Sequence, residues 1–349
     1  MTWLDSIQTG ALSWLTESPE PGVRYLALRD LLDLPVDDPQ LAAAREEAYR
    51  HGPIGTVLAA MQPEGYWEEP GPGYGPKYRS TVWALILLAQ LGARIEDDAR
   101  IAAACAYLLD HALAAGGKFT ANGAPSGTAD CVQGNLCWAL ATLGCADERL
   151  EAAFEWLARS VTGEGIAPAT DRLAPLRYYA AGKCGPLFAC GANNKLPCAW
   201  GGVKVMLALG CLPPERRTPL VERAIAAGMD FLLDNHPAQA GYPNGYAEKP
   251  SSNWWKFGFP VFYITDILQV VEAAVRLGYG RDARLAEAFQ LVLAKQDAEG
   301  RWALEQDYAG KTHGAYGAKK QPNPWVTLRV LRAVKGRDQA GDSAGPDGP

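Results

Sequence analysis

What this sequence has least of is charge of one sign gathered in one place. No block of Lys or Arg runs far enough to track a phosphate backbone, and 33 basic against 39 acidic residues leave a net charge of −6. Nucleic acid is therefore excluded as a partner. No stretch reaches the ~20 apolar residues that a bilayer span needs. The opening Met1-Thr-Trp-Leu-Asp-Ser6 lacks the basic segment and apolar run of a secretory signal, so the expected location is cytoplasmic. Eight cysteines in 349 residues are too few for a disulfide scaffold. In a reducing compartment that leaves them as core residues, metal ligands or reactive thiols. HExxH, GxSxG, a P-loop and a strand-flanked GxGxxG are missing, which argues against the common hydrolase, kinase and dinucleotide classes. No segment shows strand alternation bounded by hairpin turns.

What is present is a repeat. Four apolar stretches end in the same dipeptide, Leu91-Gly92, Leu143-Gly144, Leu209-Gly210 and Leu277-Gly278. Glycine just past an apolar helix supplies the left-handed residue that closes it. A short charged turn follows each, then a second helix with apolar residues at three- and four-residue steps, as in Leu285, Ala288, Phe289 and Val292. The first helix of each pair reads as apolar nearly all round, for example Val82 to Leu88 or Val203 to Leu209; the second is amphipathic. The first kind must be buried on several sides, and the second can face water. Alternating them gives an inner ring of helices wrapped by an outer ring. With helices near 23–32 and 325–334 there are about six inner helices, a closed (α/α)6 toroid that is all-α. With 48% hydrophobic residues the chain can bury such a core as one domain over residues 1–335. The small, polar residues 336–349 read as a disordered tail. The long connections, 63–79, 114–129, 162–197, 236–259 and 303–323, all run from an outer to an inner helix. They are expected at one end of the ring, which becomes the expected functional mouth.

Two outer helices end in a shared pattern, Leu58-Ala-Ala-Met-Gln62-Pro-Glu-Gly65-Tyr-Trp67 and Leu293-Ala-Lys-Gln296-Asp-Ala-Glu-Gly300-Arg-Trp302, with degenerate copies near 109–119, 156–165 and 231–242. This pattern resembles the QW motif of squalene–hopene cyclases, in which the Gln amide would bond an open helix end and the Trp would cover it. The chain as a whole resembles the squalene-cyclase and protein-prenyltransferase superfamily of α/α toroids, and a bacterial group of single-domain cyclase-like proteins with this layout. That resemblance implies an apolar, isoprenoid-type small-molecule substrate in an aromatic-lined cavity. The Asp-rich D-x-D-D acid of type II cyclases and the D-D-x-x-D metal motif are absent. Asn194-Lys-Leu-Pro-Cys198-Ala-Trp-Gly-Gly202 resembles the prenyltransferase stretch that holds a zinc Cys. Phe262-Tyr263-Ile264-Thr265-Asp266 resembles the stretch bearing the zinc His, with Ile264 at the His position.

Three sets of candidates follow. Cys131 and Cys198 open successive inner helices, and Cys190 lies in the loop between them. Thiols at helix N-termini have lowered pKa values, which suits zinc ligation or nucleophilic reactivity, the alternative being ordinary packing. Asp266 and Asp130 are the candidate acids: burial against aromatics would keep such a carboxyl protonated, the alternative being a helix-start partner. Tyr78, Trp83, Trp200, Trp254, Trp255, Tyr263 and Trp325 fall at or before inner-helix starts, where π faces would line a cavity for apolar or cationic groups. Lys77, Arg79 and Lys256 stand beside them as partners for a carboxylate, phosphate or diphosphate, and Asn135 lies further into the Cys131 helix. Three readings remain: a cyclase- or prenyltransferase-like enzyme, a zinc-dependent enzyme using the cysteines, or a non-catalytic lipid- or peptide-binding module.

Overall fold

The computed structural model describes residues 3, 7, 10–168, 170–174, 176–178 and 183–342. In chain order the helices are α1 (Ala11–Thr16), α2 (Pro21–Asp30), α3 (Pro39–Arg50), α4 (Pro53–Ala59), α5 (Thr81–Gln90), α6 (Ala99–Ala112), α7 (Asp130–Leu143), α8 (Glu148–Thr162), α9 (Ala199–Leu209), α10 (Pro219–Asp234), α11 (Ile267–Arg276), α12 (Ala286–Leu293) and α13 (Pro324–Asp342). Helices α5, α7, α9, α11, α13 and α2 pack each on the next. The last seam closes where Leu26 of α2 lies against Gly92 and Arg29 donates to the Gly92 carbonyl at 3.4 Å. The even-numbered helices from α6 to α12, with α3, wrap this ring, so the chain is an all-α toroid of two concentric layers. The one strand pair described, β1 (Leu113–Ala114) with β2 (Lys118–Phe119), is a two-residue hairpin in a loop.

Each helix sits where its sequence requires. All ten residues of α5 are buried, whereas α8 turns Glu151 and Glu155 outward over a buried row of Leu150, Phe154 and Leu157. The outer helices start at short turns with side-chain caps: Asp38, Asp98, Asp147 and Thr218 each accept a backbone N–H of the first turn, worth about 1 kcal/mol apiece. No side chain caps α5, α7 or α9; these helices begin under the long loops.

Three of the four Leu-Gly closures behave as expected, with Gly92, Gly144 and Gly278 at φ 84°, 90° and 87°. Gly210 does not: its φ is −66°, an ordinary helical value. It is glycine for room, because a Cβ there would lie 2.8 Å from Cγ and Cδ of Arg276.

The repeated Trp motif is built by the tryptophan rather than the glutamine. Trp67 donates its indole N–H to Val57 O (2.8 Å), and Trp302 donates to Val292 O (2.7 Å). Each then ties its outer helix to the next inner one, through Trp67 N–H to Thr81 Oγ1 (3.1 Å) and Trp302 N–H to Thr327 Oγ1 (2.9 Å). A similar tie recurs in a degenerate copy, where Phe119 N–H donates to Gln133 Oε1 at 2.6 Å. Gln296 Nε2 is buried without a partner, so the expected amide cap is not formed there.

Helix α13 runs through Gly336 to Asp342, into the segment read as tail. Arg281 holds it by donating to the Arg337 and Asp338 carbonyls, and Arg337 lies over the Phe289 ring at 4.2 Å. Residues 343–349 lie outside the described residues. No described helix is long and apolar enough to cross a membrane.

Candidate functional site

The long loops are tied to one another at the inner-helix N-termini. Asp130 N–H donates to Lys183 O, the Phe257 carbonyl accepts from Glu305 and Gln306, and His313 Nε2 contacts Arg79 O at 2.7 Å. Beneath them the aromatic layer is packed against itself. Tyr78 lies 4.4 Å from Tyr308, 5.3 Å from Trp83 and 5.4 Å from Phe262, centroid to centroid. Tyr263 lies 6.3 Å from Trp83 and 6.2 Å from Trp200. Lys77 Nζ sits 4.9 Å over the Tyr263 ring. The other expected members stand apart. Trp254 and Trp255 donate to Pro237 O and Ala238 O, Lys256 donates to Ser252 Oγ, and Trp325 stacks on Phe259 at 4.5 Å. Arg79 pairs with Glu68 at 2.9 Å. These contacts fill the expected mouth rather than line it.

The segment 257–266 descends from this layer into the ring and holds position there. Gln90 accepts from Val261 N–H and donates to Val261 O, both at 2.7 Å, and Asn135 Nδ2 donates to Phe262 O at 3.3 Å. Below it lies a cavity of ≈ 670 Å3, within the ~300–1,000 Å3 of small-molecule sites. It is at the other end of the ring, among the last turns of the inner helices. Asn135, Lys204 and Gln269 are at its floor; Arg29, Arg94, Arg276 and Arg332 are toward its rim; Trp138, Leu207, Phe259 and Val275 form apolar wall. Of the residues singled out for substrate, Asn135 lines it. The close approach that sets Asn135 beside Lys204 requires Gly134, whose added Cβ would lie 2.4 Å from the Lys204 backbone.

The lining is strongly cationic. Arg29, Arg94, Lys204, Arg276, Arg329 and Arg332 face two carboxylates, Asp30 and Glu272. Part of that charge answers the negative ends of the inner helices: Arg94 donates to Thr142 O at 3.1 Å, and Lys335, just outside, to Asp30 O and Leu31 O. Arg329 is fully engaged, forked onto Glu272 at 2.8–2.9 Å and bonded to Gly258 O. Others are not. Arg276 is exposed and contacts Cys211 Sγ (3.2 Å). Arg332 pairs with Asp30, yet its buried Nε has no partner.

Lys204 is 2% exposed and donates to Gln269 Oε1. Gln269 Nε2 donates to Ile264 O, which fixes the amide with its oxygen toward the amine. Desolvation pulls the Lys204 amine down from 10.5 to about 7, only partly opposed by Asp266, so its proton equilibrium falls at neutral pH. The signal for it was in the sequence: Lys204 is the one charged residue in the apolar run 203–209.

Both candidate acids are buried at 3% exposure, and neither lines the cavity. Asp266 is not inside an inner helix but caps α11, accepting from Gln269 N–H at 2.9 Å, with Arg329 Nη1 at 3.5 Å. Asp130 is the first residue of α7, and its side chain faces Ser160 of α8. It accepts from Ser160 Oγ at 3.1 Å, its Oδ2 has no partner, and burial holds its carboxyl well above the usual range.

The cysteines do gather. Cys131, Cys184 and Cys198 all lie near enough to Cys190 to feel its charge. Among the described residues no group of three or more His, Cys, Asp or Glu is disposed to hold a metal.

Fold and cavity together define a closed all-α toroid with a cation-lined central chamber. No family model matches the chain, and no curated protein does. Among solved structures it is similar to a protein from Actinoplanes (14% identity over 82% of this chain and 97% of that one, TM-score 0.31). It is also similar to an apo variant of the type II terpene cyclase MstE from Scytonema (14%, 82% and 95%, TM-score 0.33). Another MstE variant, in complex with its substrate geranylgeranyl dihydroxybenzoate, gives 13%, 82% and 96% with TM-score 0.33. Likeness at this level carries no residue-by-residue correspondence.

Proposed function

We propose that this protein is an enzyme that takes an isoprenoid-type ligand bearing an anionic group, of the prenyl diphosphate class, into the central cavity. One observation carries the reading: six cationic side chains against two carboxylates around a chamber that also has apolar walls. With Lys204 only partly protonated near pH 7, five arginines against two carboxylates leave an excess of at least three positive charges in a partly desolvated space, which favours an anion. Arg276 and Arg332, the guanidiniums with unused donors, are suited to its oxygens. Trp138, Leu207, Phe259 and Val275 offer the hydrocarbon part its contacts. Lys204 is the group at the floor able to give or accept a proton near pH 7.

Calorimetry with geranyl diphosphate, geraniol and inorganic pyrophosphate tests this. The diphosphate ester is expected to bind at least about tenfold more tightly than either fragment, because each fragment keeps only one of the two kinds of contact. Affinity is expected to fall as salt rises. Equal binding of geraniol, or no binding of the diphosphate, contradicts the reading.

A further inference from the structure

Among the described residues Lys204 forms no ion pair. It is 2% exposed, lines the floor of the cavity, and donates to a neutral amide, Gln269 Oε1. The two carboxylates whose charge reaches it are committed elsewhere. Glu272 is forked by Arg329 at 2.8–2.9 Å. Asp266 accepts from Gln269 N–H at 2.9 Å and faces Arg329 Nη1 at 3.5 Å. Arg329 and Cys131 are the other groups that bear on the amine. An ammonium stripped of water with no anion in contact is costly, so the neutral amine is favoured. Desolvation accordingly brings it down to about 7. Lys335 shows the opposite arrangement: it is also buried, but it donates to Asp30 O and Leu31 O and pairs with Asp33.

A neutral amine is a nucleophile, and here it faces open space. Leu207, one turn further along α9, shares its helix face and the same cavity. Trp138, Phe259 and Val275 extend that apolar wall. Asn135, also at the floor, donates one amide N–H to Phe262 O at 3.3 Å, and its amide carries a second donor.

We infer that Lys204 is a covalent site for apolar aldehydes, which it binds as an imine inside the central cavity. The Lys204 nitrogen attacks the carbonyl carbon. A C–N bond forms, and the carbonyl π pair moves to oxygen, for which the Asn135 amide is a donor. One nitrogen proton passes to that oxygen to give a carbinolamine. The nitrogen lone pair then expels the hydroxyl group, the C–O bond breaks, and water leaves with the second nitrogen proton. Both hydrogens of the water come from the amine, and nothing is oxidised or reduced. The hydrocarbon chain of the aldehyde lies against Leu207, Trp138 and Phe259. Nothing in this step needs an anionic ligand, so an aldehyde can succeed where a diphosphate fails, and the reverse.

The test is a time course of the folded wild-type protein at pH 7 with octanal or propanal and sodium cyanoborohydride, read by peptide mapping. The borohydride reduces each imine to a stable secondary amine and so records where it formed. Alkylation at Lys204 is expected at least about tenfold faster than at the exposed Lys249 and Lys311, because its neutral fraction at that pH is roughly a thousandfold larger. Octanal is expected to outpace propanal at Lys204 by about tenfold or more, since the longer chain buries more apolar surface. The two aldehydes should react alike at Lys311, and Lys335 should stay unmodified. Labelled Lys249 and Lys311 with Lys204 untouched would overturn the inference. Equal rates of octanal and propanal at Lys204, or Lys335 reacting ahead of it, would do the same. The map is made on the wild-type protein and so depends on no variant folding.

Discussion

Replacing Lys204 by Met should stabilise the protein in neutral and acid solution while weakening it as a binder. The amine falls from 10.5 to about 7 on folding, with burial as the main cause. A difference of that size corresponds to about 5 kcal/mol between the charged and neutral forms. Below pH 7 the lysine is charged in both states, and the fold carries the full penalty. Between pH 7 and 10.5 the unfolded chain still binds the proton that the folded one has released, so wild-type stability climbs with pH. Above that range the penalty is gone. Met fills nearly the same space without charge but leaves Gln269 Oε1 without its donor, which costs about 1–3 kcal/mol. The variant should therefore gain about 2–4 kcal/mol at pH 6 and lose that advantage by pH 10. Urea unfolding of both proteins across that range measures the difference directly. A difference that does not change with pH would refute the reasoning, because it would mean that Lys204 is not desolvated. An anion in the cavity should restore the ammonium form. Binding at pH 7 should then draw up to about half a proton from the buffer, read by calorimetry in buffers of different ionisation enthalpy.

Other outcomes follow from the same contacts. Arg276→Met and Arg332→Met should each reduce affinity for geranyl diphosphate by about tenfold or more, the loss of a charge-assisted hydrogen bond, with Arg79→Met and Lys256→Met as unaffected controls. Gly210→Ala, whose Cβ meets Arg276 at 2.8 Å, should displace that side chain and weaken binding more than it lowers Tm. Asp130→Asn should be neutral near pH 4 and stabilising near pH 7. The folded carboxyl is held protonated, so wild type loses stability as pH rises from the usual carboxylate value toward the folded one. Thr327→Val should cost about 1–3 kcal/mol in chemical denaturation by stranding the Trp302 N–H.

The ring of helices was legible because it is written in local signals. Gly92, Gly144 and Gly278 close their helices by a backbone conformation that few other residues tolerate, and an all-apolar stretch such as α5 can only be buried. The tryptophans at Trp67 and Trp302 marked the repeat, though the bonds run through indole and threonine. The site was less legible. Aromatics at helix starts look alike whether they line a space or fill it, and Tyr78, Trp83 and Tyr263 fill it with help from Phe262 and Tyr308, which the sequence did not single out. The cavity depends instead on isolated charges inside apolar helices, namely Lys204, Arg329 and Arg332. Their inward direction is set by helix packing that no spacing rule fixes from one chain alone. Gly210 shows the same limit: its dipeptide fits the repeat, but its reason is the Arg276 side chain.

The central claim is tested most directly by a crystal structure of the protein with geranyl diphosphate. The account predicts the diphosphate at the C-terminal end of the inner helices, in contact with Arg276 and Arg332, and the hydrocarbon chain against Trp138, Leu207 and Phe259. A diphosphate held by Lys77, Arg79 or Lys256 above the aromatic layer, with the central cavity holding only water, would contradict it.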